Sequence, residues 1–210
     1  MEKFEKNDTQ EKNVNNHVKK DDGPSDVKRP EVAFLSSSIA RGAEKHLKEN
    51  HSVDCDMHSY SSNNIYDLTE KALKIFTPKY QPKNVIIQAA GIDTFTKTCP
   101  QIMTKYRNLT ATIQALCPNS EIIVSAIPSR ERHGLYRGSD RRVDIMNTSI
   151  KGHANLKKLK FMNAAPVPDS MYRRDGIHFN EEGCKKYASN VYEFLSTLPN
   201  FNVPIQKIKK

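Results

Sequence analysis

Tryptophan is absent from this chain of 210 residues, and cysteine and glycine are scarce, at four and eight. The cysteines, Cys55, Cys99, Cys117 and Cys184, stand far apart with no CxxC pair. A structural zinc needs closely spaced ligands, so no metal is expected, and in a reducing compartment all four read as buried or half-buried thiols. Long apolar runs are missing as well. Nothing approaches the roughly 20 apolar residues of a membrane span, and no continuous apolar core follows Met1 as a secretory signal would require. A chain without a membrane span, intracellular and cytoplasmic, is the expectation.

What is present suits one domain with a full core and a tail. The first thirty residues, MEKFEKNDTQEKNVNNHVKKDDGPSDVKRP, have few apolar positions, no periodicity and closely mixed charges, so residues 1–30 are expected to be disordered. The domain is expected over residues 31–199, with a short basic tail over 200–210. The net charge is +9. Acids and bases balance within the N-terminal tail, so the excess belongs to the rest of the chain. Arg130, Arg132, Arg137, Arg141 and Arg142 crowd one segment, and Lys207, Lys209 and Lys210 end the chain. Such runs are either solvated surface or a contact for an acidic partner.

After Pro30 the pattern becomes regular. Val32-Ala33-Phe34-Leu35 reads as a buried strand, and Ile39 to Glu49 as a helix. Val53 to Met57 makes a weaker second strand. Ile65, Leu68, Ala72 and Ile75 repeat at helical spacing up to Pro78. Val85 to Ala89 is the clearest strand, rich in β-branched residues. Ile102, Tyr106, Leu109, Ile113 and Leu116 mark a long helix that stops at Pro118. Ile122 to Ile127 is a fourth strand, Val143 to Leu156 a helix, Leu159 to Met162 a fifth strand. Cys184, Tyr187, Val191 and Leu195 give the last helix its buried face. Alternating strands and helices imply a parallel five-stranded sheet covered on both sides, a three-layer α/β/α sandwich of flavodoxin-like order. Ligands in such folds bind beyond the carboxyl ends of the strands, at the switch point.

Three stretches follow those strand ends: Ser36-Ser37-Ser38-Ile39-Ala40-Arg41-Gly42, Ala90-Gly91-Ile92-Asp93-Thr94, and the segment holding Asp175 and His178. Two of them have an ordinary explanation. Asp175-Gly176-Ile177-His178 is a normal turn into a helix, and Ser38 at a strand-to-helix turn is a normal N-cap. Converging on one crevice, however, serine, histidine and aspartate make a proton-transfer relay.

Four stretches in order resemble the blocks of the SGNH hydrolases, also called GDSL esterases and lipases, over residues 31–198. DGIHFNEEG is similar to the closing Asp-x-x-His block, FLSSSIARG to the first block with Ser38 at the nucleophile, and IIQAAGIDTF to the third. SAIPSR resembles a strand end common in esterase domains carried by invertebrate retrotransposons. The resemblance implies Ser38 as nucleophile, His178 as proton shuttle and Asp175 as its orienting partner, with no cofactor. It also exposes departures. Ser36-Ser37 stands where Gly-Asp is usual. The second-block glycine, whose backbone N–H helps bind the oxyanion, is replaced by Ser62 in YSSNNIYDL. The third-block asparagine, a side-chain donor, is replaced by Asp93, and an ionised carboxylate only accepts hydrogen bonds. A weakened oxyanion hole follows, because one lost donor typically costs about 100- to 1,000-fold in rate.

Two functions fit this pattern. One is a serine esterase acting on a small ester or acylated substrate. The other is the same fold with its chemistry lost, whose basic surface holds RNA or another polyanion. The arginine loop after the fourth strand could recognise an anionic substrate as readily as a phosphate backbone. Tyr136 is its one aromatic, which is poor provision for base stacking.

Overall fold

The structure, a computed structural model, describes residues 28–61, 64–128, 139–164 and 167–202. Five strands carry the fold: β1 Val32–Ser37, β2 Cys55–Tyr60, β3 Asn84–Gln88, β4 Glu121–Ser125 and β5 Lys160–Met162. They form one parallel sheet in the order β2-β1-β3-β4-β5. The expected α/β sandwich is what the chain adopts. The order reverses between β1 and β3, so the crevice of an open α/β sheet lies beyond the ends of those two strands.

Among the described residues six helices cover the sheet: α1 Ala43–His51, α2 Ile65–Ile75, the single turn α3 Asp93–Thr96, α4 Cys99–Leu116, α5 Ser139–Lys157 and α6 Glu181–Leu195. The period-2 alternation of the strands decides which side chain meets which layer. Ala33, Leu35, Val85, Ile87, Ile122 and Val124 pack against α2, α4 and α5. Val32, Phe34, Ile86 and Ile123 point the other way, onto α1 and α6. Each core strand is apolar on both faces because both faces are covered.

Several elements begin or end elsewhere than the sequence pattern predicts. The edge strand β2 starts two residues later and runs to Tyr60, in register from Val32↔Cys55 to Ser37↔Tyr60. Its residues Asp56, His58 and Ser59 are polar and half-buried, so apolar spacing does not mark them. Helix α4 starts three residues earlier, because Thr98 and Gln101 form a capping box and Pro100 sits in the first turn, where its missing N–H costs nothing. The polar segment expected over 1–30 lies outside the described residues up to 27. Lys28 is described: its N–H donates to the Lys79 carbonyl, its own carbonyl accepts from the Gln81 N–H, and Nζ pairs with Asp56 at 2.6 Å. Cys55, Cys117 and Cys184 are buried and Cys99 is half-buried, all as free thiols; burial pushes the Cys55 thiol up to about 12 and Cys117 to about 11.

Candidate active site

Strand β1 delivers three serines to the switch point. Ser36 is fully buried, while Ser37 Oγ donates to Gln88 Oε1 on β3 at 2.8 Å. That bond ties the two strand ends together just before Ser38. The sequence predicts an α-helix from Ile39, and here the structure differs. Ser38–Ala40 is a 3₁₀ turn closed by the Arg41 N–H on the Ser38 carbonyl, and α1 begins only at Ala43. A three-residue turn carries little of a helix macrodipole. Any field on the Ser38 oxygen is therefore weaker than a strand-to-helix junction would supply. The N-cap of this turn is Ser37, so capping does not explain Ser38.

The Ser38 hydroxyl is instead 2.8 Å from His178 Nε2, across 140 residues of sequence. His178 Nδ1 lies 2.7 Å from Asp175 Oδ2. The tautomer follows from the carboxylate. Burial raises the Asp175 pKa somewhat, but the His178 side chain and the N–H groups of His178 and Ile177 lower it more, from 3.8 to about 2. At neutral pH the carboxylate is ionised and accepts only, so Nδ1 carries the proton. Nε2 then presents its lone pair to the Ser38 hydroxyl.

The loop that holds this pair is locally determined. Asp175 Oδ1 accepts the Ile177 N–H at 2.8 Å and the His178 N–H at 3.0 Å, an Asx turn that fixes the imidazole relative to its carboxylate. Gly176 adopts φ +64°, which an L side chain rarely tolerates. The Arg173 N–H donates to the His178 carbonyl at 2.7 Å, and the Tyr172 and Phe179 rings pack 5.1 Å apart in the α1/α6 core. Asn180 then caps α6 by accepting the Gly183 N–H at 3.0 Å.

The lowered Asp175 pKa has a definite consequence for acid stability. The folded value lies below the ordinary 3.8, so the contribution is fully present above about pH 4 and is lost as pH falls through about 2. The side chain is 44% exposed, so solvent screens the pair and the slope is shallow. Asp175→Asn should flatten the fall in melting temperature across this window while leaving other acid transitions in place. Identical acid limbs for the two proteins would mean that Asp175 is not held as described.

Asp93 is fully buried at the start of α3, just beyond β3. Its lone pairs do not face open solvent. Oδ2 accepts the Ile65 N–H of α2 at 3.0 Å, and Oδ1 pairs with Lys97 Nζ at 2.7 Å. Neither contact is predicted from the sequence pattern, although Asp93 and Lys97 stand four apart. Beside them Ala90 holds a left-handed φ of 72°, a strained conformation for alanine at the switch point. The other expected oxyanion position, Ser62, lies outside the described residues, as do Arg130, Arg132 and Arg137. Arg141 and Arg142 are exposed in the first turns of α5, and Arg142 Nη1 reaches the Thr94 and Phe95 carbonyls at 3.3 and 3.4 Å. A cavity of about 230 Å³ is bounded by α3, α4 and α5, with Thr94, Ile102, Ile145 and Met146 among its walls. Among the described residues, no group of three or more histidine, cysteine or acidic side chains could hold a metal, and no helix is long and apolar enough to cross a membrane.

No family model matches the sequence, and no curated protein matches it. The fold does have relatives among solved structures. A GDSL-like lipase from Bacteroides thetaiotaomicron superposes with a TM-score of 0.64 at 16% identity, covering 78% of this chain and 86% of that one. A carbohydrate esterase family 3 protein from Talaromyces cellulolyticus gives 0.62 at 19%, covering 79% and 95%. A psychrotrophic esterase from a Pseudoalteromonas species gives 0.62 at 12%, covering 79% and 96%. The domain thus has the SGNH hydrolase fold.

Proposed function

We propose that this protein is a serine hydrolase of the SGNH type, cleaving a carboxylic or acetyl ester through an acyl-enzyme. The observation that supports this most is the continuous line from Asp175 Oδ2 through both nitrogens of His178 to Ser38 Oγ, with contacts of 2.7 and 2.8 Å. That the structurally similar proteins include a GDSL-like lipase and two esterases agrees with it.

In the proposed reaction Ser38 Oγ attacks the ester carbonyl carbon while its proton passes to His178 Nε2. Asp175 stabilises the imidazolium and keeps its own charge. The leaving alkoxide takes the proton from Nε2, and the acyl group remains on Ser38. Water then attacks the acyl-enzyme with His178 again as base, releasing the acid and restoring Ser38. No cofactor is needed. The Ser38 backbone N–H and, by resemblance, that of Ser62 would hold the oxyanion. Asp93 contributes no side-chain donor, so turnover should be slow, about 100- to 1,000-fold below an enzyme that has one.

The test is direct. Purified protein should hydrolyse 4-nitrophenyl acetate slowly, and a fluorophosphonate probe should modify Ser38, read by peptide mass. A protein that neither turns over the ester nor accepts the probe at Ser38 is not a hydrolase of this kind.

A further inference from the structure

We propose that Lys97 is a positioning residue that lets a carboxylate stand at the edge of the oxyanion site without opposing the reaction; this rests on the hydrolase function proposed above. The starting fact is a conflict. Asp93 is a buried acid, 1% exposed, beyond the end of β3, which pairs with β1 just before Ser38, and by the resemblance it stands at the position of an oxyanion donor. A buried carboxylate there is costly to hold, and its charge would repel the negative oxygen of a tetrahedral intermediate.

Lys97 answers both difficulties. Its ammonium sits 2.7 Å from Asp93 Oδ1. The two residues close a single helical turn, since the Lys97 N–H also donates to the Asp93 carbonyl at 2.9 Å. With Oδ1 held by Lys97, Oδ2 is directed to the Ile65 N–H, the first amide of α2. Asp93 thereby clamps the chain entering α2 to the chain leaving β3, the two segments that flank the end of β1. Lys97 neutralises the clamp. An asparagine could make the Ile65 contact through its carbonyl oxygen with no charge to offset, so Lys97 is required only while position 93 is an acid.

That conditional role sets the experiment. Wild type, Lys97→Met, Lys97→Arg, Asp93→Asn and the double variant Asp93→Asn/Lys97→Met are compared for hydrolysis of 4-nitrophenyl acetate, for the Ser38 labelling rate and for amide exchange at Ile65. Lys97→Met should lose about 10- to 1,000-fold, in kcat rather than KM, because the uncompensated charge acts on the transition state. Lys97→Arg should stay near wild type. In the Asp93→Asn background, removing Lys97 should cost less than about threefold, since little is left for it to offset. A loss above about tenfold in that background would mean that Lys97 acts on substrate directly, and the proposal falls. It falls equally if Lys97→Met matches wild type.

Where Lys97→Met does not fold, the comparison between Asp93→Asn and the double variant still decides. Exchange at Ile65 separates this proposal from the hydrolase one. The amide should exchange at least about tenfold faster in Lys97→Met and recover in the double variant. Unchanged Ile65 exchange in a folded Lys97→Met protein overturns the clamp whether or not the wild type is an enzyme. A wild type with no esterase activity counts against the hydrolase function alone.

Discussion

Ser38→Ala should abolish fluorophosphonate labelling and reduce ester hydrolysis to the rate of a protein-free control, while the folded protein remains. The expected loss is large because in the proposed reaction the hydroxyl is the atom that forms the bond, and alanine has nothing in its place. In a well-developed Ser-His-Asp enzyme, removing the nucleophile costs about 10⁶-fold in kcat. Here the drop is bounded by a slower starting rate, so roughly 10³- to 10⁴-fold is expected. Stability should hardly change. The side chain is half-buried and loses one hydrogen bond, to His178 Nε2, and such a substitution typically stays within about 1 kcal/mol. His178→Gln should show nearly the same loss, and the two losses should not add, because in the proposed reaction both residues serve one proton transfer. Residual hydrolysis by Ser38→Ala at more than a tenth of the wild-type rate would place the chemistry on another group.

The contrast between what the sequence discloses and what it hides follows the range of the interactions. Strands β1, β3 and β4 are legible because both faces are buried, which leaves Val32 to Leu35, Val85 to Ile87 and Ile122 to Val124 as unbroken apolar runs. The Asp175–His178 pair is legible for the opposite reason: it is local, and the glycine between them marks the turn. What the sequence hides is contact between distant segments. Ser37 meets Gln88 across 51 positions and Asp93 meets the Ile65 amide across 28. Neither contact leaves a periodic trace. Asp93 is the clearest case. The family resemblance implies a damaged oxyanion hole at this position, whereas its partners show a carboxylate already occupied by a lysine and a helix amide. Helix α3 escapes notice because four residues are too few for a 3.6-residue period to repeat. Only the family resemblance, not spacing, singles out Ser38 among three consecutive serines.

The second large effect concerns Gly183, in the first turn of α6. Glycine inside a helix normally costs about 0.5–1 kcal/mol relative to alanine, so Gly183→Ala would ordinarily be stabilising. Here the sign should reverse. A Cβ at this position would meet the Met171 carbonyl oxygen at an impossible approach and stand 2.9 Å from Phe179 Cβ. Neither neighbour can withdraw cheaply. The Met171 carbonyl already accepts the Asn180 N–H at 2.9 Å, and the Phe179 ring is wedged between Tyr172 and Tyr187 at 5.1 and 5.8 Å. Overpacking of this kind typically costs about 1–3 kcal/mol, occasionally more, and a displaced carbonyl adds a lost hydrogen bond. The net expectation is a loss of about 2–4 kcal/mol, roughly 5–15 °C in melting temperature for a domain of this size. Function should suffer beyond stability. Met171 and Asn180 bracket the loop that carries Asp175 and His178, so a shift there moves the imidazole away from Ser38. Gly152→Ala on α5 provides the control, because nothing lies within 4 Å of its added Cβ. That variant should gain about 0.5–1 kcal/mol and keep full activity. If Gly183→Ala instead melts at or above wild type, the first turn of α6 does not pack on Met171, and the placement of His178 against Ser38 loses its support.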